Sequence, residues 1–492
     1  MSQPPVEIPR PQVRAAAPRH YHLIGIAGTA MASLAGLLRA AGHTVTGSDE
    51  NVYPPMSDQL RELGIRYAEG YGAANLEPRP DWVVVGNAIS RGNEELEAVL
   101  DRRLPYTSAA ATIKEEFLRT RLPLAVGGTH GKTTTTSLLA WALESAGLNP
   151  SFLIGGVAEN FGTSFRLTDS PWFVIESDEY DTAYFDKGPK MWHYLPYAAI
   201  VNNAEFDHAD IYRDEEAYRF AFARFINLVP RNGTLVAGWD SPMVRDLAPK
   251  SFAPIESFGY TDGEVAGGGE HPRWTARDVE FGPEGTRFTA VHDGEVWGVV
   301  ETPVTGAINV RNILAVTAVA EFIGADRAGV LEGLRTFRSV KRRMEVRGEA
   351  GGVTVMDDFA HHPTAVRETI DAVRQRFRGR PIVAVFEPRS YTAQRREFQD
   401  SYRDAFAAAD RVVLAGLFHP ERYTEQTALN PNELVDAWRA AGKPADFIPD
   451  PDEIVRRLVP ELKGNEVILV MSNGGFGGIH GKLLDALNAR AG

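Results

Sequence analysis

Short apolar runs recur along the chain, each closed by a polar or small-residue turn and followed by a segment of helical periodicity. Residues 20–26, 44–47 and 82–90 carry the first set, with polar ends at Ser48-Asp49 and at Asn87 and Ser90. Residues 122–126, 171–176 and 198–203 carry the second, and 352–356, 382–386, 411–415 and 466–471 the third. Helical patterns follow at about 29–41, 133–146, 305–323 and 363–377. Strand alternating with helix predicts parallel sheets with helices on both faces, the α/β class. Residues 121–123 and the basic run 337–344 separate the sets, which predicts domains at 20–121, 122–338 and 339–492 behind a disordered or loosely docked tail at 1–19. Residues 233–287 read as mixed strand and loop, with a flexible Gly267-Gly268-Gly269 segment.

Length agrees with that division, since 492 residues suggest about three domains. Net charge of −13 argues against a nucleic-acid surface, which needs basic stripes. The chain has no cysteine, which excludes disulfides, thiolate metal sites and thiol nucleophiles and fits a cytoplasmic protein. It shows neither a signal-peptide core nor an apolar run of about 20 residues, so membrane insertion is not expected.

The most informative stretch is Gly127-Gly128-Thr129-His130-Gly131-Lys132-Thr133-Thr134, between an apolar run and a helix. Glycines there let backbone N–H groups face one concavity, and the helix N-terminus adds partial positive charge. Lys132 would reach outer phosphates and Thr133 would ligate Mg²⁺. The loop is short of the full phosphate-loop pattern, because Val126 stands where the first glycine belongs. The bland alternative is a glycine-rich turn with a surface lysine. Downstream, Glu176 ends a buried strand and opens a carboxylate cluster, and Glu205, Asp207, His208 and Asp210 follow another strand end. Carboxylates so placed can hold Mg²⁺ opposite phosphates, or be solvated loop acids. Asn309 and Asn312 share a helix face and can read a base or phosphate, though Asn309 alone could be an N-cap.

In the first domain, a strand through Gly25 leads into the small-residue turn Ala27-Gly28-Thr29-Ala30-Met31, and Asp49 lies about 20 residues on. That is a Rossmann crossover with a poor dinucleotide fingerprint, favouring a nucleotide sugar over NAD. The loop Gly478-Ile479-His480-Gly481-Lys482 nearly copies the phosphate loop but ends in Leu483, which has no hydroxyl, so it reads as the start of a helix.

Together these residues resemble the Mur ligase family, whose members use ATP to join an amino acid or peptide to a UDP-N-acetylmuramate-type substrate. The resemblance covers the chain beyond the tail. It implies a Rossmann-like UDP-binding domain, a central P-loop ATPase-like domain and a Rossmann-like C-terminal domain. It implies UDP-sugar contacts at Gly25, Gly28, Thr29, Ala30, Met31, Ser48, Asp49 and Asn87, with Ala27 and Thr29 departing from the glycine-rich form. Gly128, Thr129, His130, Gly131, Lys132, Thr133 and Thr134 are the family's phosphate loop. Thr133, Glu176 and His208 match its Mg²⁺ ligands, and Lys132, Glu176 and His208 its catalytic set. Asn309 and Asn312 match its adenine-side and phosphate-side asparagines, and Arg343 and Asp358 the third-domain residues that close on ATP.

Two branches share the Asp-Asp-aromatic-small-His-His-Pro-Thr segment found at 357–364. Residues 51–57, 177–187, 205–210 and 386–390 resemble the branch whose acceptor is the recycled murein tripeptide L-alanyl-γ-D-glutamyl-meso-diaminopimelate, rather than L-alanine. The implied role is peptidoglycan recycling, through an acyl phosphate on the muramyl carboxylate. Arg389, at a strand end, is the expected anchor for the peptide's carboxylates. No lysine lies between Lys190 and Lys250, so the carbamylated lysine of some members is not expected. The competing readings are the family's muramate–alanine ligase branch, a non-catalytic nucleotide-sugar-binding regulator and a Rossmann dehydrogenase. The expected assembly is a monomer or weak dimer.

Overall fold

The computed structural model describes residues 17–50, 52, 56–208, 211–260, 271–424 and 426–491. Most of the expected tail, Asn51, Tyr53 to Pro55, Ala209, Asp210 and the triple glycine at 267–269 lie outside them.

The first sheet contains β1 (His20–Ile24), β2 (Thr44–Asp49), β3 (Arg66–Glu69), β4 (Trp82–Val85) and β5 (Tyr106–Ser108). All pairs are parallel in the order β3-β2-β1-β4-β5. The order reverses direction between β1 and β4, which opens a crevice beyond their carboxyl ends. The helix Thr29–Ala40 leaves that crevice and buries Leu34, Leu37 and Leu38. Its Gly36 faces Phe165 of the central domain so closely that a Cβ would sit 2.0 Å from the ring.

The central sheet is built on β6 (Leu122–Gly127), all of whose residues are buried. Then come β7 (Ser151–Ala158), β8 (Thr163–Arg166), β9 (Trp172–Glu176), the small ribbon β10 (Asp181–Ala183) and β11 (Asp186–Pro189), β12 (Ala198–Val201), β13 (Thr234–Gly238) and β14 (Ile255–Phe258). An antiparallel extension follows in β15 (Trp274–Gly282), β16 (Gly285–His292) and β17 (Glu295–Thr302). The order β17-β16-β15-β14-β13-β12-β6-β9-β7-β8 puts β6 between β12 and β9, so loops from all three converge. One face packs on Leu138, Leu139 and Leu143 of the helix Lys132–Ser145 and on Ile313, Leu314 and Val316 of the helix Ala307–Phe322. The other face joins Phe222 and Phe225 to the core of the first domain in one continuous apolar cluster.

The third sheet has β18 (Glu345–Ala350), β19 (Val353–Asp358), β20 (Ile382–Phe386), β21 (Arg411–Leu414), β22 (Ala445–Phe447) and β23 (Val467–Met471), in the order β18-β19-β23-β20-β21-β22. It differs from the expected parallel sheet at one edge, where β18 runs antiparallel to β19. Gly351 and Gly352 both have positive φ, 56° and 77°, which makes the tight reversal possible. The basic run at 337–344 is fastened to the central domain through its backbone. Ser339 O accepts from Glu159 N at 3.1 Å and Lys341 N donates to Val157 O at 3.2 Å. Residues 479 onward form the helix Ile479–Ala491, as the loop ending in Leu483 predicts.

Candidate active site

The loop after β6 turns at Gly128 (φ +135°) and Gly131 (φ +80°), conformations open to glycine. A Cβ on Gly131 would fall 2.8 Å from Asn312 Oδ1, so backbone and side-chain amide are in close approach. Asn202 and Asn203, at the end of β12, brace the loop. Asn203 Oδ1 accepts from His130 N at 2.8 Å, and Asn202 Nδ2 donates to Thr135 Oγ1 at 2.9 Å. The first N–H groups of the following helix have no intrahelical partners and face an anion-binding concavity.

Lys132 Nζ lies over this loop, donating to Gly128 O at 2.7 Å and to Glu179 Oε2 and Oε1 at 2.7 and 3.0 Å. Burial opposes the lysine's charge, but Glu179 and Asp178 more than restore it, and its pKa is raised. Glu179 is fully buried. Burial disfavours its charge, yet Lys132 and the hydrogen bond from His208 hold its pKa down at about 2. His208 has φ +56° and its ring packs at a 48° tilt against Tyr180 with centroids 4.0 Å apart, and its Nε2 lies 3.1 Å from Glu179 Oε1.

Glu176 reaches the loop from β9. Its Oε1 accepts from Thr133 Oγ1 at 2.9 Å and its Oε2 from Gly155 N at 2.7 Å. Its pKa is raised, by burial and then by Asp178. Thr133 Oγ1 also accepts from Arg343 Nη2 at 3.0 Å, an arginine of the third domain that lies over the Phe359 ring. Asp358 receives Met344 N and Ala360 N at 2.7 and 2.8 Å, and burial raises its pKa. Asn309 lies inside the first turn of its helix and not at the cap, which is Gly306. It donates to Thr305 O at 2.9 Å and accepts from Asn312 Nδ2 at 3.1 Å.

One cavity of about 250 Å³ gathers these groups. Thr129, His130, Gly131, Lys132, Thr133 and Thr134 line it, as do Asn309, Asn312, Arg343 and Asp358. Glu176 and His208 are also on its wall, while Gly128 contributes its carbonyl to Lys132 from behind. A larger cavity of about 440 Å³ shares Thr134, Asn309, Arg343 and Met344 with the first and is walled by Val304 and Phe337. A phosphate loop with a buried cation beside an adjoining cavity walled in part by Val304 and Phe337 is an arrangement that a nucleoside triphosphate fits. Thr133 and Glu176 present neighbouring oxygens, the donor type Mg²⁺ takes. Glu176 and His208, expected to share a metal, both line this cavity, where Glu176 meets Thr133 and His208 meets Glu179. The left-handed backbone of His208 and its tilted packing on Tyr180 aim the ring at Glu179.

The first-domain residues form a separate group at the crevice. Gly25 (φ +81°) donates its N–H to Ser48 O at 2.8 Å, and Asp49 Oδ2 accepts from Ala27 N at 2.9 Å. Gly28, Thr29 and Ala30 begin the helix, and Met31 is buried. Ser48 is fully buried, and its hydroxyl donates to Glu95 Oε1 at 2.9 Å. Asn87 donates to Asp181 Oδ1 at 3.1 Å, across to the central domain. Arg389 lines neither nucleotide cavity; its guanidinium lies 3.7 Å from the Phe418 ring centroid, and its side chain packs on Gly474, next to the cavity-lining Asn473.

Sequence reading passed over Glu179 and Glu95 as site organisers. Glu95, fully buried, takes His22 Nε2 at 2.6 Å, Asn75 Nδ2 at 2.6 Å and Ser48 Oγ. Its only sequence signal is a place on a helix of ordinary acidic composition. Glu179 stands in a run of acids that no periodicity ranks.

Three family profiles match in series: "Mur ligase family, catalytic domain" at 20–119, "Mur ligase middle domain" at 126–320 and "Mur ligase, glutamate ligase domain" at 342–474. The chain is 42% identical over 471 residues to the UDP-N-acetylmuramate--L-alanyl-gamma-D-glutamyl-meso-2,6-diaminoheptandioate ligase of Escherichia coli K12, covering 96% of this chain and 98% of that one. It is 33% identical to the UDP-N-acetylmuramate--L-alanine ligase of Anaeromyxobacter sp., over 96% of this chain and 98% of that one. The crystal structure of a murein peptide ligase from Psychrobacter arcticus superposes with a TM-score of 0.70 at 37% identity, covering 96% of this chain and 99% of that one.

Proposed function

The chain belongs to the Mur ligase family, and on that premise we propose that it is the ATP-dependent ligase joining UDP-N-acetylmuramate to the recycled tripeptide L-alanyl-γ-D-glutamyl-meso-diaminopimelate. The observation that carries the reading is the convergence of Lys132, Thr133, Glu176, Asn309, Arg343 and Asp358 on one cavity between the central and third domains. The acceptor follows from the 42% identity to the tripeptide ligase, against 33% to the alanine ligase.

A carboxylate and an amine do not condense unaided in water. The muramyl carboxylate oxygen attacks the γ-phosphorus of ATP, the bond to the bridging oxygen breaks, and ADP leaves. The tripeptide's N-terminal amine attacks the acyl carbon, the amide forms, and phosphate leaves with the second bonding pair; the amine proton passes to solvent. Lys132 stabilises charge on the transferring phosphoryl group, and the helix N-terminus cradles the neighbouring phosphates. Thr133 and Glu176 would hold Mg²⁺, which neutralises phosphate charge when bound. Glu179 keeps Lys132 and His208 in place. The base fits beside Asn309, Val304 and Phe337. The nucleotide sugar lies at the crevice of the first sheet, with Gly25, Gly28 and Asp49 beside it. Arg389 is the proposed anchor for the peptide's carboxylates. Because ATP and UDP-sugars are cytoplasmic, we place the reaction there; among the described residues no helix is long and apolar enough to cross a membrane.

The test is isotopic. UDP-N-acetylmuramate carrying ¹⁸O in its carboxylate should deliver one ¹⁸O to the released phosphate. Unlabelled phosphate, with amide formed, would overturn the acyl-phosphate route.

A further inference from the structure

The junction of the central and third domains holds a second cluster, separate from the Thr133–Glu176 oxygens. His130, on the phosphate loop, Glu205, beyond β12, and His362, heading the helix Pro363–Arg376, each turn one ligand atom inward. These atoms all lie within 4.8 Å of one another. Glu205 Oε2 is 3.6 Å from His130 Nε2 and 3.7 Å from His362 Nδ1, and the two imidazole centroids are 4.7 Å apart. Both histidines are buried, His130 to 8% exposure and His362 to 5%. His130 Nε2 has no hydrogen-bond partner among the described residues, although it is buried and aimed at the Glu205 carboxylate. A buried ring nitrogen left without a partner costs free energy unless something else uses it.

We propose that His130, Glu205 and His362 form a binding site for a zinc-class divalent ion that ties the third domain to the phosphate loop. Two imidazoles and one carboxylate are a donor set that zinc accepts, with a fourth position left for water. Ligand atoms around tetrahedral zinc are about 3.4 Å apart for bonds of about 2.1 Å. The 3.6 and 3.7 Å separations from Glu205 are close to that value, and all three ligand atoms lie within 4.8 Å, so binding draws the two histidines inward. Mg²⁺ is the wrong ion here, since it prefers an all-oxygen shell.

The surroundings hold the ligands in place. Thr364 Oγ1 donates to Glu205 Oε2 at 2.7 Å, an outer-shell bond of the kind that orients a metal-bound carboxylate. Asn203 fixes the His130 backbone. Thr364 N donates to His362 Nδ1 at 3.4 Å, a long bond that the ion would replace. His130 and Glu205 belong to the central domain and His362 to the third, so occupancy fastens the two together over the nucleotide cavity, whose wall includes His130 and the neighbouring His361.

The test uses the full chain, stripped with chelator and titrated with Zn²⁺ alone against a chromogenic competitor, then with Co²⁺ for its visible absorption. One zinc per chain, an intense four-coordinate cobalt spectrum, and a zinc-dependent rise in melting temperature are expected. His362→Ala and Glu205→Gln, each checked for folding by circular dichroism, should each weaken zinc binding at least tenfold, while Glu176→Gln leaves it unchanged. If either folded variant binds zinc as tightly as the unaltered chain, or if Glu176→Gln is the change that removes the ion, the proposal is overturned. A chain that takes up no stoichiometric zinc overturns it as well.

Discussion

Lys132 and Glu179 form a buried ion pair, with Nζ 2.7 Å from Oε2, and Glu179 meets His208 with its other oxygen at 3.1 Å. The carboxylate thus links the phosphate-loop cation to the imidazole across the cavity. A buried charge of this kind is tolerable only while paired, and Glu179 pairs both ways. The Glu179→Gln variant should lower kcat about 10- to 100-fold, as removal of an orienting outer-shell partner does, without raising the KM for ATP. Steady-state ADP release measures both constants. An unchanged kcat would make Glu179 a bystander.

Lys132→Met removes the cation aimed at the transferring phosphoryl group. Loss of one such preorganised group costs about 3 kcal/mol, so kcat should fall by roughly 10²- to 10³-fold. Circular dichroism should show an intact fold. Ligation within a few-fold of normal would contradict the assignment of this loop to phosphoryl transfer.

Gly155 sits against the Glu176 carboxylate. A Cβ there would fall 2.7 Å from Oε2, and the glycine N–H is itself the donor to that oxygen. Gly155→Ala should therefore displace Glu176 and raise the Mg²⁺ concentration for half-maximal activity by about tenfold. A Mg²⁺ titration of ADP release checks it; an unchanged midpoint would show that Glu176 does not set metal affinity.

The buried Glu95 gives a pH prediction. Burial disfavours its charge, but the bonds from His22 and Asn75 outweigh it, and the pKa is lowered. The folded protein therefore binds the proton less readily than the unfolded chain, whose glutamates titrate near about 4.3. The stabilisation is present above that pH and is lost as pH falls through the lower folded pKa. A hydrogen bond to a buried charged group contributes about 1.5–3 kcal/mol. Glu95→Gln should be less stable at pH 7 and lose less stability on acidification. Urea melts from pH 7 down to about 3 compare the two; parallel pH profiles would remove Glu95 from the linkage.

The three sheets were legible because each strand is a short apolar run closed by a turn, and β6, β19 and β20 are wholly buried. The edge strands were not. β8 and β10 are short, β18 is largely exposed, and each pairs antiparallel with a strand beside it in the chain, β18 through a glycine turn. Most of the proposed nucleotide site was legible from loop chemistry and the family resemblance. What escaped was which acid faces which partner. Glu176 and Glu179 are three residues apart in one acidic run, yet one receives Thr133 and the other Lys132 and His208. That choice depends on the left-handed turn at His208 and the packing of Tyr180, which no local pattern encodes.

The most direct test of the central claim is acceptor choice. ADP release is measured with ATP, Mg²⁺ and UDP-N-acetylmuramate, adding either L-alanyl-γ-D-glutamyl-meso-diaminopimelate or L-alanine. The tripeptide should support turnover with a kcat/KM at least a hundredfold above that for L-alanine. Equal or greater efficiency with L-alanine would assign the chain to the other branch, and no ADP release with either acceptor would contradict the ligase reading itself.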